Sequence, residues 1–133
     1  MKKLLAQIIG ALLFSGCTTA IRPVPVPVTY QVTLSGRYVD VGYTDVPPKP
    51  LFMQRPVYPV AFREAGIDGM ALTEFVVDTS GIPTQVQVVH ATDAAFARSA
   101  IEAVKLWRFT VAQKNGVPVP CHEQVPIQFT ISN

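Results

Sequence analysis

Apolar and polar positions alternate in three stretches of the second half of the chain and recur at helical spacing in a fourth. Gly69 to Asp78 reads GMALTEFVVD, with Ala71, Thr73, Phe75 and Val77 on one side and Leu72, Glu74 and Val76 on the other. A period of two predicts a β-strand, because successive side chains leave a strand on opposite faces. Asp78-Thr79-Ser80-Gly81 is turn chemistry. Ile82 to Thr92 then predicts the returning strand, with Val86 and Val88 on one face, Gln85 and Gln87 on the other, and Pro83 suited to a strand end or an edge. Asp93 is placed to cap a helix over AAFARSAIEAVKLWRF. Its Ala97, Ala100, Ile101, Val104 and Trp107 form a buried stripe, and Arg98 and Glu102 lie outside it. Asn115-Gly116 marks a turn. Val125, Ile127, Phe129 and Ile131 then alternate with Pro126, Gln128, Thr130 and Ser132, a last strand with one apolar face. Ahead of all this, Pro59 suits the first turn of a short helix through VAFREAG, which Gly66 stops.

The first half is different. Residues 18 to 59 hold eight of the twelve prolines. Pro23-Val24-Pro25-Val26-Pro27 favours extended polyproline II, and Pro47-Pro48-Lys49-Pro50 repeats the theme. Between them Tyr30, Val32 and Leu34 alternate, Ser35-Gly36 intervenes, and Val39, Val41 and Tyr43 alternate again. That pattern fits a hairpin, one bent strand or an extended tether carrying apolar side chains. Fully extended, residues 18 to 55 reach about 130 Å.

The N-terminus reads MKKLLAQIIGALLFSGC: a basic start, an apolar run from Leu4 to Phe14, then small Ser15 and Gly16. This is the layout of a secretory signal peptide, and the run is too short for a bilayer span of about 20 residues. Leu13-Phe14-Ser15-Gly16-Cys17 resembles the lipobox of bacterial lipoproteins, although Phe14 stands where Leu is usual. The resemblance implies cleavage before Cys17 and acylation of its sulfur, which would supply the two signals of a stable anchor. Removing the first 16 of 133 residues leaves 117 and takes the formal charge from +2 to zero, since Lys2 and Lys3 go with them. A neutral chain without a basic cluster argues against nucleic-acid binding. With Cys17 acylated, Cys121 has no partner within the chain, and no internal disulfide is expected.

The order short helix, hairpin, helix, strand brings out a family resemblance. Tyr58-Pro59, Gly66-Ile67-Asp68-Gly69, Phe75 to Gly81, Val86 to Val89, Ala100 to Phe109, Asn115 to Val119 and Val125 to Phe129 together resemble the C-terminal domain of the TonB family, over residues 55 to 131. The resemblance implies an α+β fold with two helices packed on a three-stranded antiparallel sheet. Together with the lipobox-like signal, it divides the chain into a lipoprotein signal peptide at 1–16, a lipidated N-terminus and Pro-rich tether with a possible extra strand or hairpin at 17–54, and the domain at 55–133. It also implies capture of an extended TonB-box-like peptide or envelope protein as an added strand. The edge concerned is Gln124, Val125, Pro126, Ile127, Gln128, Phe129, Thr130 and Ile131. Two other readings stay open: a TonB-type energy transducer supporting outer-membrane receptor transport, and a homo-oligomeric structural component of the envelope, with a homodimer as its simplest form. The expected location is the periplasm, lipid-anchored, with the outer membrane favoured because Thr18, not Asp, follows Cys17.

No catalytic residue, metal or cofactor is expected. Cys121 and His122 are adjacent, so on a strand they diverge, and His90 is the only other histidine. A Cys–His nucleophile pair fails on the same geometry and lacks a third orienting group. Trp107 is expected in the core, Arg108 on another face, and Glu74 in solvent. The apolar neighbours of Glu74, Leu72 and Val76, are expected to be covered by the Tyr30–Tyr43 segment or used for self-association.

Overall fold

The computed structural model describes residues 21–132, so the signal-like stretch and Cys17 lie outside the described residues. In chain order the elements are β1 (Val28–Thr29), β2 (Val39–Asp40), a single 3-10 turn (Val41–Tyr43), β3 (Pro50–Phe52), α1 (Val60–Glu64), β4 (Gly69–Val77), β5 (Pro83–Ala91), α2 (Ala94–Val104), β6 (Arg108–Phe109), β7 (Gln113–Lys114), β8 (Val117–Pro118) and β9 (Cys121–Phe129).

The three alternating stretches become the three long strands. β4 lies between β5 and β9 and is antiparallel to both; its pairing with β9 runs without a break from Gly69↔Phe129 to Val77↔Cys121. The expected three-stranded antiparallel sheet is corrected in one respect. The sheet has five strands in the order β1-β5-β4-β9-β2 and is mixed, because β2 runs parallel to β9. Both additional strands come from the Pro-rich segment. It forms neither a hairpin nor one bent strand: β1 adds to the β5 edge and β2 to the β9 edge, on opposite sides of the sheet.

Helices α1 and α2 cover one face. Asp93 caps α2 as its sequence suggests, its side chain accepting from the Ala95 N–H at 2.9 Å. Phe96, fully buried, packs between Phe129 (ring centroids 4.9 Å), Phe62 (5.0 Å) and Tyr58 (5.9 Å). A Cβ at Gly69 would be driven into the Phe96 ring, so that strand position has no room for a side chain. Thr73 is the one buried polar side chain of the described core, and its hydroxyl donates to the Val125 carbonyl at 2.7 Å, tying β4 to β9.

The helix is shorter than its pattern. α2 stops at Val104, and Trp107 reaches the core from the chain beyond it, edge-on to Phe75 at 6.2 Å. Its indole N–H donates to the Gln54 carbonyl at 2.8 Å, and Arg108-Phe109 then pair with Pro50 and Phe52. The β4–β5 turn accounts for the early stop: the Phe109 N–H donates to the Gly81 carbonyl at 2.9 Å. Gly81 has φ +81°, and a Cβ there would collide with the Phe109 carbonyl. Asn115-Gly116 turns between β7 and β8 as expected.

Phe96→Ala removes the ring on which α1, α2 and β9 converge and is expected to cost about 3–5 kcal/mol. The check is the shift of the urea midpoint at unchanged slope.

Candidate functional site

Strand β9 pairs with β4 along its whole length on one side, so its chemistry lies in what the other side presents. The Val39 N–H donates to the Pro120 carbonyl at 2.9 Å, which shows that residue 120 faces away from β4. The Val125 carbonyl, bonded by Thr73, faces β4. Main-chain groups alternate direction along a strand. His122, Gln124, Pro126 and Gln128 therefore point their main chain outward, and Cys121, Glu123, Val125 and Ile127 point theirs into the sheet. Among the described residues, β2 is the only strand on this outer side, and it pairs with Cys121 and His122 alone. From Gln124 to Phe129 the edge is open.

This places the sequence-predicted residues individually. Gln124, Pro126 and Gln128 supply the outward carbonyls, and Gln124 and Gln128 the outward N–H donors. Pro126 lacks one and sits on the side where no β4 bond is lost. Val125, Ile127 and Phe129 turn their side chains to the core, Ile127 and Phe129 being buried. Thr130 and Ile131 lie past the end of β9; the Ile131 N–H instead donates to Asp68 at 2.9 Å. The strand also begins three residues earlier than Gln124, at Cys121.

The occupied end of the edge holds a cluster that the sequence did not announce. His122 Nδ1 lies 2.7 Å from Asp40 Oδ1 on β2, and Nε2 lies 2.6 Å from Glu74 Oε1 on β4. The Tyr38 ring rests against the imidazole with centroids 5.5 Å apart. Glu74, expected in solvent, is therefore a bonded, largely covered side chain at 16% exposure. The register explains it: Val76 pairs with His122 and Glu74 with Gln124, so Glu74 and His122 stand diagonally on one face. Burial pulls the His122 pKa down, and the hydrogen bonds and charges of Asp40 and Glu74 more than reverse this, leaving it raised. Asp40 was missed because its partner is 82 positions away; the only local signal is an acid between Val39 and Val41 in an alternating run.

The segment between β1 and β2 is held across the same face. Gln87 bonds the main chain of Thr33 in both directions, its Nε2 donating to the carbonyl (2.9 Å) and its Oε1 accepting from the N–H (3.4 Å). Gln85 does the same with Ser35 at 2.9 and 2.7 Å. To pass from Ser35 on β5 to Val39 beside β9, the chain crosses β4 near Val76. Val76, on the face opposite the helices, is 4% exposed. Of the two expected apolar neighbours of Glu74, Val76 is buried and Leu72 stays half-buried.

Cys121 points the other way from His122, into the core, fully buried. Burial, then the charges of Glu123 and Asp40, push its thiol up to about 11. Arg108 donates to the Lys105 and Trp107 carbonyls and not to a carboxylate; Glu102 pairs with Lys105 at 3.6 Å, not with Arg98. Among the described residues no group of three or more His, Cys, Asp or Glu side chains is placed to hold a metal ion, and no helix is long and apolar enough to cross a membrane.

The profile of the family described as Gram-negative bacterial TonB protein C-terminal matches residues 54–131. Among curated proteins, the chain is similar to Protein TonB of Vibrio cholerae, 33% identical over 78 residues, which is 58% of this chain and 32% of that protein. It is also similar to Protein TonB of Xanthomonas campestris pv. campestris, 30% identical over 81 residues, 60% of this chain and 36% of that protein. The chain thus spans about a third of the length of these relatives. Among solved structures, the solution structure of the Pseudomonas aeruginosa TonB C-terminal domain superposes with a TM-score of 0.58 at 26% identity, covering 74% of this chain and 98% of that one.

A thiol reagent at pH 8 is expected to modify Cys121 in the native protein orders of magnitude more slowly than in urea-unfolded protein, because the buried thiol stays protonated there. Peptide-resolved mass spectrometry of the labelled chain checks this, and comparable rates in the two states would contradict it.

Proposed function

The chain belongs to the TonB C-terminal domain family, and from that premise we propose that its domain captures an extended segment of an envelope protein by adding it as a strand to β9. The observation that carries this reading is the open row of main-chain groups at Gln124, Pro126 and Gln128. In strand addition main-chain bonds give affinity and alternate side chains give selectivity. Three carbonyls and two N–H groups are available here, in a strand that β4 holds rigid along nine paired positions. Receptor segments of the TonB-box type are the partner class this family suggests. The activity is binding, not catalysis.

The same edge bears on the homo-oligomeric reading. Two copies pairing antiparallel about Pro126 would set two donorless residues opposite each other at the centre of the interface. That loses two ladder bonds, each worth about 0.5–1.5 kcal/mol. A different strand with a donor opposite the Pro126 carbonyl loses one such bond instead of two, so the edge favours a foreign partner over a second copy. Pro126 acts here as a guard against self-pairing.

We further infer that Cys17 carries the anchor and that the domain works in the periplasm at a membrane surface. The support is the basic-apolar-small-Cys sequence ahead of it. An actual energy transducer is the second reading, favoured by relatives named Protein TonB. Intact mass of protein extracted from cell membranes separates the two. A chain beginning at acylated Cys17 is expected, whereas a chain retaining Met1 sinks the lipoprotein reading.

Titration with a synthetic TonB-box peptide is expected to move the amides of Gln124 and Gln128 and leave those of Val125 and Ile127 much less affected. Gln128→Pro removes one outward donor and should weaken binding up to about tenfold. Unmoved Gln124 and Gln128 amides at saturating peptide would falsify strand addition at this edge.

A further inference from the structure

The open stretch of β9 and the stretch taken by β2 are one continuous edge. Pro120 and His122 belong to the same outward row as Gln124, Pro126 and Gln128, and β2 enters that row parallel to β9. Immediately after β2 the chain turns away through Val41–Tyr43, which lie beside β9. An incoming strand therefore meets the chain's own segment at the N-terminal end of the edge. We propose that the segment around β2 is an intramolecular competitor for this edge, latched by the Asp40–His122–Glu74 cluster and released when the latch opens. This rests on the strand-capture reading and adds its regulation.

The competitor is built to be displaced. β2 is two residues long, its Asp40 side chain is more than half exposed, and the 3-10 turn that follows it has no buried residue. Beyond it the chain is tied at Tyr43, Asp45 and Val46 to Lys114, Asn115 and Gln113, so the stretch that can leave the edge is the loop between Ser35 and Tyr43. Within that loop β2 is held by the Val39–Pro120 bond and by the imidazole, whose two nitrogens each face a carboxylate oxygen at hydrogen-bonding distance. A neutral ring carries a single N–H, so one carboxylate would then meet a nitrogen lone pair. Only the imidazolium donates to both. The groups facing it are Asp40 from β2, Glu74 from β4 and the Tyr38 ring ahead of β2; Glu123 lies on the opposite face of its own strand.

The sign of the pH effect follows. With the His122 pKa raised in the latched state, the latch's stabilisation is fully present below the ordinary value of 6.5 and is lost as pH rises through the raised value. The edge is therefore most occluded in mild acid and opens toward alkaline pH.

The test uses the full chain, its Val39→Pro variant, which cannot donate to the Pro120 carbonyl, and its Asp40→Asn variant. The probes are a synthetic heptapeptide of residues 37–43 and a TonB-box peptide. The heptapeptide is expected to shift the His122 and Gln124 amides of Val39→Pro at pH 6 and to leave the parent chain unshifted. The TonB-box peptide should bind Val39→Pro up to about tenfold tighter than the parent, because the outward main chain of Pro120 and His122 then joins the open row at Gln124, Pro126 and Gln128. In the parent its affinity should rise from pH 6 to 8.5, and Asp40→Asn should flatten that rise. Equal TonB-box affinity for parent and Val39→Pro overturns the competitor and leaves capture standing. Heptapeptide binding to Val39→Pro without any TonB-box binding supports the competitor and overturns capture. An unchanged pH response in Asp40→Asn overturns the latch.

Discussion

A β-sheet edge is a row of unsatisfied donors and acceptors, and the structure is organised around what is done with two such rows. The long strands β5, β4 and β9 would leave one edge at each side. The Pro-rich segment covers part of the first with β1 and then passes over the sheet face, where the side-chain amides of Gln85 and Gln87 bond the main chain of Thr33 and Ser35. It covers the start of the second with β2. What it leaves is the Gln124–Phe129 stretch. An exposed edge invites unwanted pairing, and Pro126 lowers that hazard by removing the central donor. The proposed site is thus the stretch of the β9 edge that β2 leaves open.

The core explains why that remainder is rigid enough to be useful. Phe75, Trp107 and Phe109 form one aromatic group under the middle of β4, and Phe96, Phe62, Phe129 and Tyr58 form another under its start. Cys121, Ile127 and Phe129 of β9 are buried in the same layer. The side chains that fix β9 therefore alternate with the residues whose main chain faces outward. A partner can bond Gln124 and Gln128 without disturbing Ile127 or Phe129.

The long strands and α2 were legible because each announces itself locally, by alternation in Gly69–Val77 or by Asp93 ahead of a helical stripe. The end of α2 was not. Trp107 fits the helical stripe, but its indole seeks the Gln54 carbonyl and Phe109 seeks Gly81, and both are tertiary bonds. The open edge was legible as far as the last strand was; Thr130 and Ile131 continue the alternation but have no β4 residue left to pair with beyond Gly69. Glu74 read as solvated because nothing near it in sequence is a base. His122 comes to it through strand register and Asp40 through a segment with no strong local signal. Two-residue strands held by side-chain amides carry too little pattern to be read in advance.

The docked segment also bears on reach. Arg22 donates to the Ala65 carbonyl at 2.6 Å, and the Val26 N–H to Asp93 at 2.9 Å, so residues well ahead of β1 already lie against the domain. If Cys17 holds the anchor, only Thr18 to Ile21 separate it from the first docked residue, a span of about 17 Å at most. Undocking the segment as far as residue 55 lengthens the tether to about 130 Å. The contacts that occlude the β9 edge are continuous with those that shorten the tether. A latch at His122 then links two properties a membrane-anchored binding domain needs together, a free edge and the length to carry it to a distant partner. A strand partner that displaces β2 would favour both at once, since the residues it releases are the ones that hold the domain close.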